Sequence, residues 1–407
     1  MNIAYLTSEY RDYRIRSGDT NTYIANSFAR AWVRQGHNVV VIHNASCFPK
    51  IIYYLPQWVK KMFESKAGFT WGIYETVKKD KYYDENVTIY RLPFRKYIPH
   101  KSASGIVLNK QAKQIKKIFE KNGFSPDIII GQWVSPQLEL IYRLRDYYPN
   151  CKTGVVLHGD TYIYDKKYPA LKYFQKIDRV GTRSEVHADS VMKGLSLKEK
   201  PFVCYSGIPD KYVTSYKLNV DKFSEIRKWK FAFVGRLVEY KKADVLIRAL
   251  CKLENVDWEL NVVGDGGQLP ALLQLCEQLK CTERVIFHGK VNRDKVMQIL
   301  SDSHCFAMVS VGEVFGLVYL EAMGACCITV ASIGGGIDGV IKNQINGFLS
   351  EGGDECCLVD VLNRIISTSE DKLKQIVIQG YNTAESFSET KVAKDFLDKV
   401  CSIDRNS

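Results

Sequence analysis

Two carboxylates eight positions apart, Glu313 and Glu321, flank an apolar run, and the same stretch continues through Ala322-Met-Gly-Ala-Cys-Cys to Gly334-Gly-Gly336. A helix beginning at Phe315 or Gly316 leaves Glu313 in the loop ahead of it and carries Glu321 about two turns in. A ligand lying across the N-terminus of that helix could meet both carboxylates. The first-turn amides, around Phe315, Gly316 and Leu317, lack intrahelical acceptors and stand at the positive end of the macrodipole, which suits a phosphate. Gly316 permits close backbone approach to a ligand. Ala322, Gly324 and Ala325 let the helix pack tightly on a strand at Cys327–Ala331, with the glycine run at that strand's carboxyl end. An ordinary helix with one capping and one solvated glutamate has the same sequence, so the pair needs company.

Three further groups supply it. His158-Gly159-Asp160 follows a predicted strand ending at Leu157, which puts the imidazole at a strand's carboxyl end. Phe233-Val-Gly-Arg236 ends another strand, and Lys241 lies five residues on, ahead of a helix. A guanidinium fork and an ammonium point charge so placed can converge on a diphosphate. Gly264-Asp-Gly-Gly267 follows the next strand; by itself Asp-Gly is also a common turn.

The elements that must position these groups alternate between strand and helix. Strands are predicted at Ile3–Thr7, Asn38–Ile42, Val87–Leu92, Asp127–Gly131, Thr153–Leu157, Arg179–Gly181 and Phe202–Tyr205, with helices over 20–35 and 109–121. Residues 206–229, polar and Lys-rich after Ser206-Gly-Ile-Pro209, read as a linker. A second series opens at Phe231–Val234 and runs through helix 243–251, strand 258–263, helix 269–279, strand 285–287, helix 293–300, strand 305–309, the Glu313–Glu321 helix, strand 327–331 and a helix near 355–368. This is an α/β protein of two doubly wound, Rossmann-like domains facing a cleft.

At 407 residues, with 46% hydrophobic and 25% charged residues, the chain has the composition of an ordinary soluble globular protein. No apolar run approaches the roughly 18–20 residues of a membrane span, and the N-terminus reads as a strand rather than a signal peptide, so a cytoplasmic location is expected. Twelve scattered cysteines without a Cys-x-x-Cys suggest neither a zinc cage nor a disulfide framework; they read as small buried hydrophobes. The net charge of +12 is uneven: residues 1–208 hold 33 Lys and Arg against 18 Asp and Glu, whereas residues 209–407 hold 24 against 27. The first half therefore suits an anionic partner, either a membrane surface or a phosphorylated substrate, unless the excess is compositional bias; nucleic acid is not expected, because no fold motif for it accompanies the charge. A helix over Pro56–Lys66 places Trp58, Val59, Met62 and Phe63 on one face with Lys60 and Lys61 around the other, either an interfacial membrane helix or a lid on its own sheet.

In order and spacing, the His-Gly, the Gly-Arg with its Lys five later, the Gly-Asp-Gly, the E-x7-E and the Gly-Gly are similar to the retaining glycosyltransferases of family four, of the bacterial surface-polysaccharide type. The resemblance runs through nearly the whole chain. It implies the GT-B architecture, with an acceptor-binding domain over residues 1–208, a nucleotide-sugar-binding domain over 209–384 and a C-terminal helix, 385–407, crossing back to the first domain. It implies transfer of a hexose from a nucleotide-diphosphate sugar to a surface glycan acceptor on a lipid carrier, with retention of configuration, by an enzyme peripheral at the inner face of the cytoplasmic membrane. Glu313 would face the transferred sugar and His158 would contact it from the first domain. Glu321 would bind the ribose hydroxyls, and Arg236 and Lys241 the pyrophosphate, with the amides near Phe315, Gly316 and Leu317. Gly18 and Gly264 would line the donor, and Asp19, Arg14 and Arg16 the acceptor side.

Two departures from the family pattern stand out. Gly18-Asp19 replaces a Gly-Gly pair, and Lys241-Lys242 replaces Lys-Gly, which tightens the turn's backbone demands or adds a phosphate contact. No Asp-x-Asp occurs, so neither a metal nor another cofactor is expected. The same fold could instead serve a nucleotide-sugar epimerase, a soluble sugar transferase or a non-catalytic sugar-nucleotide-binding subunit.

Overall fold

Parallel strands covered on both faces need near-continuous apolar runs, and Ile3-Ala-Tyr-Leu6 and Ile128-Ile-Ile130 are such runs, all buried. The computed structural model describes residues 1–15, 24–47, 49, 53–56, 58–59, 74–95, 103–158, 161–165, 168–214, 218–313 and 315–402. Its first sheet holds β1 (Asn2–Thr7), β2 (Asn38–Cys47), β3 (Asp80–Asp84), β4 (Val87–Arg95), β5 (Ile128–Gln132), β6 (Lys152–Val156), β7 (Arg179–Thr182) and β8 (Phe202–Val203), in the order β3-β4-β2-β1-β5-β6-β7-β8. Every neighbouring pair is parallel except β3 and β4. The sequence reading missed β3. Asp80-Lys-Tyr-Tyr-Asp84 buries only Tyr82 and takes its shape from the turn at Glu85, whose φ is 53°, and from pairing with β4.

Residues of Met1–Arg183, Ala188–Cys204 and Ala393–Ser407 form one compact unit, and Ser184–His187 with Tyr205–Val392 form the other. The helix Glu389–Cys401 therefore contributes to the first unit from Ala393 onward. There Trp32 Nε1 donates to the Ala393 carbonyl at 2.9 Å, and the Phe396 ring packs 5.2 Å from that of Phe28. The helix Gly105–Lys121, capped by Ser104, and the helix Gln137–Leu144 bury Ile115, Phe119, Leu138 and Ile141 in the same unit.

The second unit has a six-stranded sheet of β9 (Trp229–Val234), β10 (Trp258–Val263), β11 (Val285–Gly289), β12 (Cys305–Ala307), β13 (Ile328–Ser332) and β14 (Phe348–Ser350), all parallel, in the order β11-β10-β9-β12-β13-β14. The expected linker over 206–229 is corrected here. Tyr212, Val213 and Phe223 are buried in this unit's core, so the described part of that polar segment is tethered by three apolar anchors. Gly324 also differs from expectation: a Cβ there would meet the Tyr212 carbonyl oxygen at 3.3 Å and Ala384 at 3.7 Å. The small residue thus admits the segment around Tyr212 and the helix Glu370–Ser386, rather than the next strand alone.

All twelve cysteines are free thiols; eight are buried, and Cys356 is exposed. Among the described residues no helix is long and apolar enough to cross a membrane. Of the expected interfacial helix, Trp58 and Val59 are described, Trp58 being 70% exposed, while Lys60, Lys61, Met62, Phe63 and Lys66 lie outside the described residues.

Candidate active site

Open parallel sheets bind ligands beyond the carboxyl ends of their strands, where the strand order reverses. In the second unit the reversal falls between β9 and β12. The loop after β9 carries Gly235, Arg236 and Lys241; the loop after β12 carries Glu313. The sheet order thus brings two motifs far apart in sequence to one crevice.

The loops are fastened to one another. The Leu237 amide donates to the Asp265 carbonyl at 3.0 Å, and the Gln268 amide to the Leu237 carbonyl at 3.0 Å. Gly264, at φ 138°, passes so close to the first loop that a Cβ would stand 1.8 Å from the Gly235 carbonyl oxygen. This glycine is dictated by backbone-to-backbone packing. Lys242 takes the left-handed conformation, φ 56° and ψ 40°, where the family pattern has glycine, and its aliphatic stem runs beside Gly353. Arg236 is exposed and makes no ion pair among the described residues.

Lys241 Nζ and Glu313 Oε2 form an ion pair, their side chains only 12% and 16% exposed. The Gly336 amide donates to the Glu313 carbonyl at 3.0 Å, tying the glycine run to this loop. The helix itself is Leu317–Gly324, shorter than expected, and Gly316 is its N-cap at φ 79°. A Cβ on Gly316 would lie 2.6 Å from the Tyr319 ring, which is fixed by a hydrogen bond from its hydroxyl to the Met308 carbonyl at 2.7 Å. Phe315 precedes the helix and is buried against Tyr205, ring centroids 5.3 Å apart, while the Leu317 and Val318 amides open the first turn.

Glu321 is 6% exposed and paired with Arg293, the first residue of the helix Arg293–Asp302. Burial acts to lower the Arg293 pKa, and the Glu321 carboxylate outweighs it, so the guanidinium stays charged. Sequence reasoning passed over Arg293. The available signal was a cation in a helix's first turn, where an acid is the ordinary choice.

In the first unit the order reverses between β1 and β5, and His158 follows the neighbouring strand β6. His158 Nε2 donates to Gln132 Oε1, and the imidazole stacks on Trp133 with centroids 4.4 Å apart and planes at 19°. Trp133 has φ 67°, an outlier for a bulky side chain. Arg14 is bound to Asp12 and to Asp80, each at 2.7 Å, and Arg91 reaches the same two carboxylates at 3.1 and 3.0 Å. Burial works to raise the Asp12 carboxyl, and the Arg14 hydrogen bonds and the Arg91 charge hold it below the usual range instead. Arg14 is thus part of an ion network bracing the β3–β4 edge. Arg16, Gly18, Asp19, Gly159 and Asp160 lie outside the described residues.

Comparison with known proteins bears on this geometry. Residues 219–383, about two-fifths of the chain, match the model of the family described as Glycosyl transferases group 1. An uncharacterized glycosyltransferase of Methanocaldococcus jannaschii is 40% identical over 116 residues, 28% of this chain and 30% of that protein. The N-acetyl-alpha-D-glucosaminyl L-malate synthase of Bacillus anthracis is 34% identical over 138 residues, 34% of this chain and 36% of the other. The matched stretches span about a third of the length of these curated relatives. Among solved structures, a glycosyltransferase of Rickettsia africae superposes with a TM-score of 0.67 at 19% identity, covering 100% of this chain and 99% of its own. The Anabaena protein HepE, solved in complex with UDP, gives 0.68 at 17% identity, covering 99% and 100%. Residues 219–383 are therefore similar to the glycosyl transferases of group 1, in a chain whose two parallel-sheet units share the fold of solved GT-B glycosyltransferases.

Proposed function

We propose that this protein is a glycosyltransferase that moves a hexose from a nucleotide-diphosphate sugar to a surface glycan acceptor. One observation carries the reading: Lys241 and Glu313, the two charges such a reaction needs beside a diphosphate and a sugar, meet at the strand-order reversal inside the segment that matches the family. Departure of a nucleoside diphosphate calls for neutralisation of developing negative charge. Lys241, the exposed Arg236 and the amides of Leu317 and Val318 supply positive charge without a metal ion. Glu313 then faces the sugar and Glu321 accepts from the ribose; retention of configuration follows the family resemblance. Gly264, packed on the Gly235 loop, belongs to the donor side. The UDP of the Anabaena structure makes UDP-sugars the first donors to try.

The basic first half and the exposed Trp58 favour an acceptor at an anionic membrane surface, a lipid-linked glycan, with the enzyme peripheral at the cytoplasmic face. A second reading, a soluble transferase acting on a small polar acceptor, is favoured by the Bacillus anthracis relative, whose name specifies malate. The deciding experiment is a panel of UDP-, GDP- and ADP-sugars scored for binding and slow hydrolysis, followed by membrane extracts and small hydroxy acids as acceptors. Saturable binding of one donor class with release of its diphosphate is the expected result. Failure of every nucleotide sugar to bind overturns the reading.

A further inference from the structure

Arg293 stands where backbone amides already gather positive charge, at the first position of its helix. Glu321 has the mirror-image problem, lying in the last turn of Leu317–Gly324, where the unpaired carbonyls disfavour an anion. Each placement is unfavourable alone, and their pairing relieves both. The manner of the pairing is informative. Arg293 Nε, at 2.7 Å, and Nη2 both donate to one oxygen, Glu321 Oε1. Arg–carboxylate pairs are frequently bidentate, with one N–H to each oxygen. Here Oε2 accepts no hydrogen bond from the described residues. The fork is itself held: its guanidinium lies 5.2 Å over the Tyr212 ring, and the adjacent Asp294 accepts from Lys211 Nζ at 2.7 Å and from the Tyr212 hydroxyl at 3.2 Å.

We infer that Arg293 is a positioning residue that occupies Oε1 of Glu321 and turns Oε2 toward the ribose hydroxyls of the nucleotide, so that the site selects ribonucleotides over deoxyribonucleotides. The inference rests on the proposed nucleotide-sugar site and adds to it the means by which its sugar-reading carboxylate is aimed. By occupying one oxygen, Arg293 defines the direction of the other.

The test is calorimetric binding by the full chain of whichever of UDP, GDP and ADP binds best, beside its 2′,3′-dideoxy analogue. Wild type should prefer the ribonucleotide by about 10- to 100-fold, the range of one or two hydrogen bonds to a charged acceptor. Arg293→Lys keeps the charge and loses the planar fork, so it should lose most of that preference while affinity for the dideoxy analogue stays within about threefold. Under turnover the loss should fall on donor KM rather than on kcat. Should Arg293→Lys unfold the protein, the double variant Arg293→Met with Glu321→Met replaces the pair by apolar side chains that need no partner, and it should bind both nucleotides equally. Equal weakening of both nucleotides by Arg293→Lys, or a ribose preference that survives the double variant, overturns the inference. Tight wild-type binding without ribose preference overturns it while leaving the proposed function standing; no binding of any nucleotide overturns both.

Discussion

Replacing Glu313 by Gln should make the protein hold a nucleoside diphosphate more tightly while it transfers sugar far more slowly. Lys241 is engaged by Glu313, with side chains 12% and 16% exposed, and must leave that partner to reach a phosphate. Exposed ion pairs are worth about 0.2–1 kcal/mol and truncation of a buried one costs about 3–5, so this nearly buried pair falls between, at roughly 1–2 kcal/mol. Gln keeps the volume, releases the ammonium and removes a negative charge facing the diphosphate. At about 1.4 kcal/mol per tenfold, UDP affinity should rise roughly 5- to 30-fold. Transfer should fall by about 10²–10³, the usual loss when a group stabilising the transition state is removed. Calorimetry with UDP and product detection from a cognate donor measure the two effects on one sample. The further change Lys241→Met should erase the gain in affinity. Equal or weaker binding of UDP by Glu313→Gln would refute the competition between carboxylate and phosphate for Lys241.

Gly264→Ala should cost about 3–5 kcal/mol, because φ 138° is strained for alanine and the Cβ, 1.8 Å from the Gly235 oxygen, must push two site loops apart; urea unfolding within about 1 kcal/mol of wild type would refute it. His304 accepts the Lys230 amide on Nδ1 at 2.9 Å, and burial with the nearby Lys222 and Lys230 charges pushes its pKa down to about 4. The unfolded imidazole takes up its proton near pH 6.5, so this stability is present above about 6.5 and is lost as pH falls toward 4, by roughly 3 kcal/mol. His304→Asn should flatten that limb of the pH–stability curve, and an unchanged slope would count against it. Transfer activity should survive excess EDTA; loss with rescue by magnesium or manganese would show that cationic side chains do not suffice. Vesicle sedimentation should show binding to anionic but not neutral lipid, weakening as salt rises, since each basic residue near the surface contributes about 1 kcal/mol and is screened over about 8–10 Å; equal partitioning to both lipids would leave the basic first half without a membrane role.

Local signals went far in this chain. Buried parallel strands such as Ile128–Gln132 are written as apolar runs, and loops that end them, Gly235-Arg236 and Gly264-Asp-Gly-Gly267, are marked by residues that only tight backbone geometry or charge recognition requires. The two-domain reading, the second sheet's strands and the placing of Arg236, Lys241 and Glu313 in the loops beyond those strands were legible in this way. What the sequence could not disclose was partnership. Lys241 and Glu313 are 72 residues apart, and Arg293 and Glu321 are 28 apart; each pair meets only because the sheet order sets β12 beside β9 and packs one helix on another. The Lys-rich stretch around Tyr212 and Phe223 read as a linker because three buried side chains among many polar ones leave no periodicity, and the edge strand Asp80–Asp84 was silent because its pairing comes from β4 rather than from its own pattern. Periodicity and turn chemistry act between near neighbours and so are written in the chain. Charge pairing and core membership act through space, and tertiary structure alone decides which charges and which surfaces become neighbours.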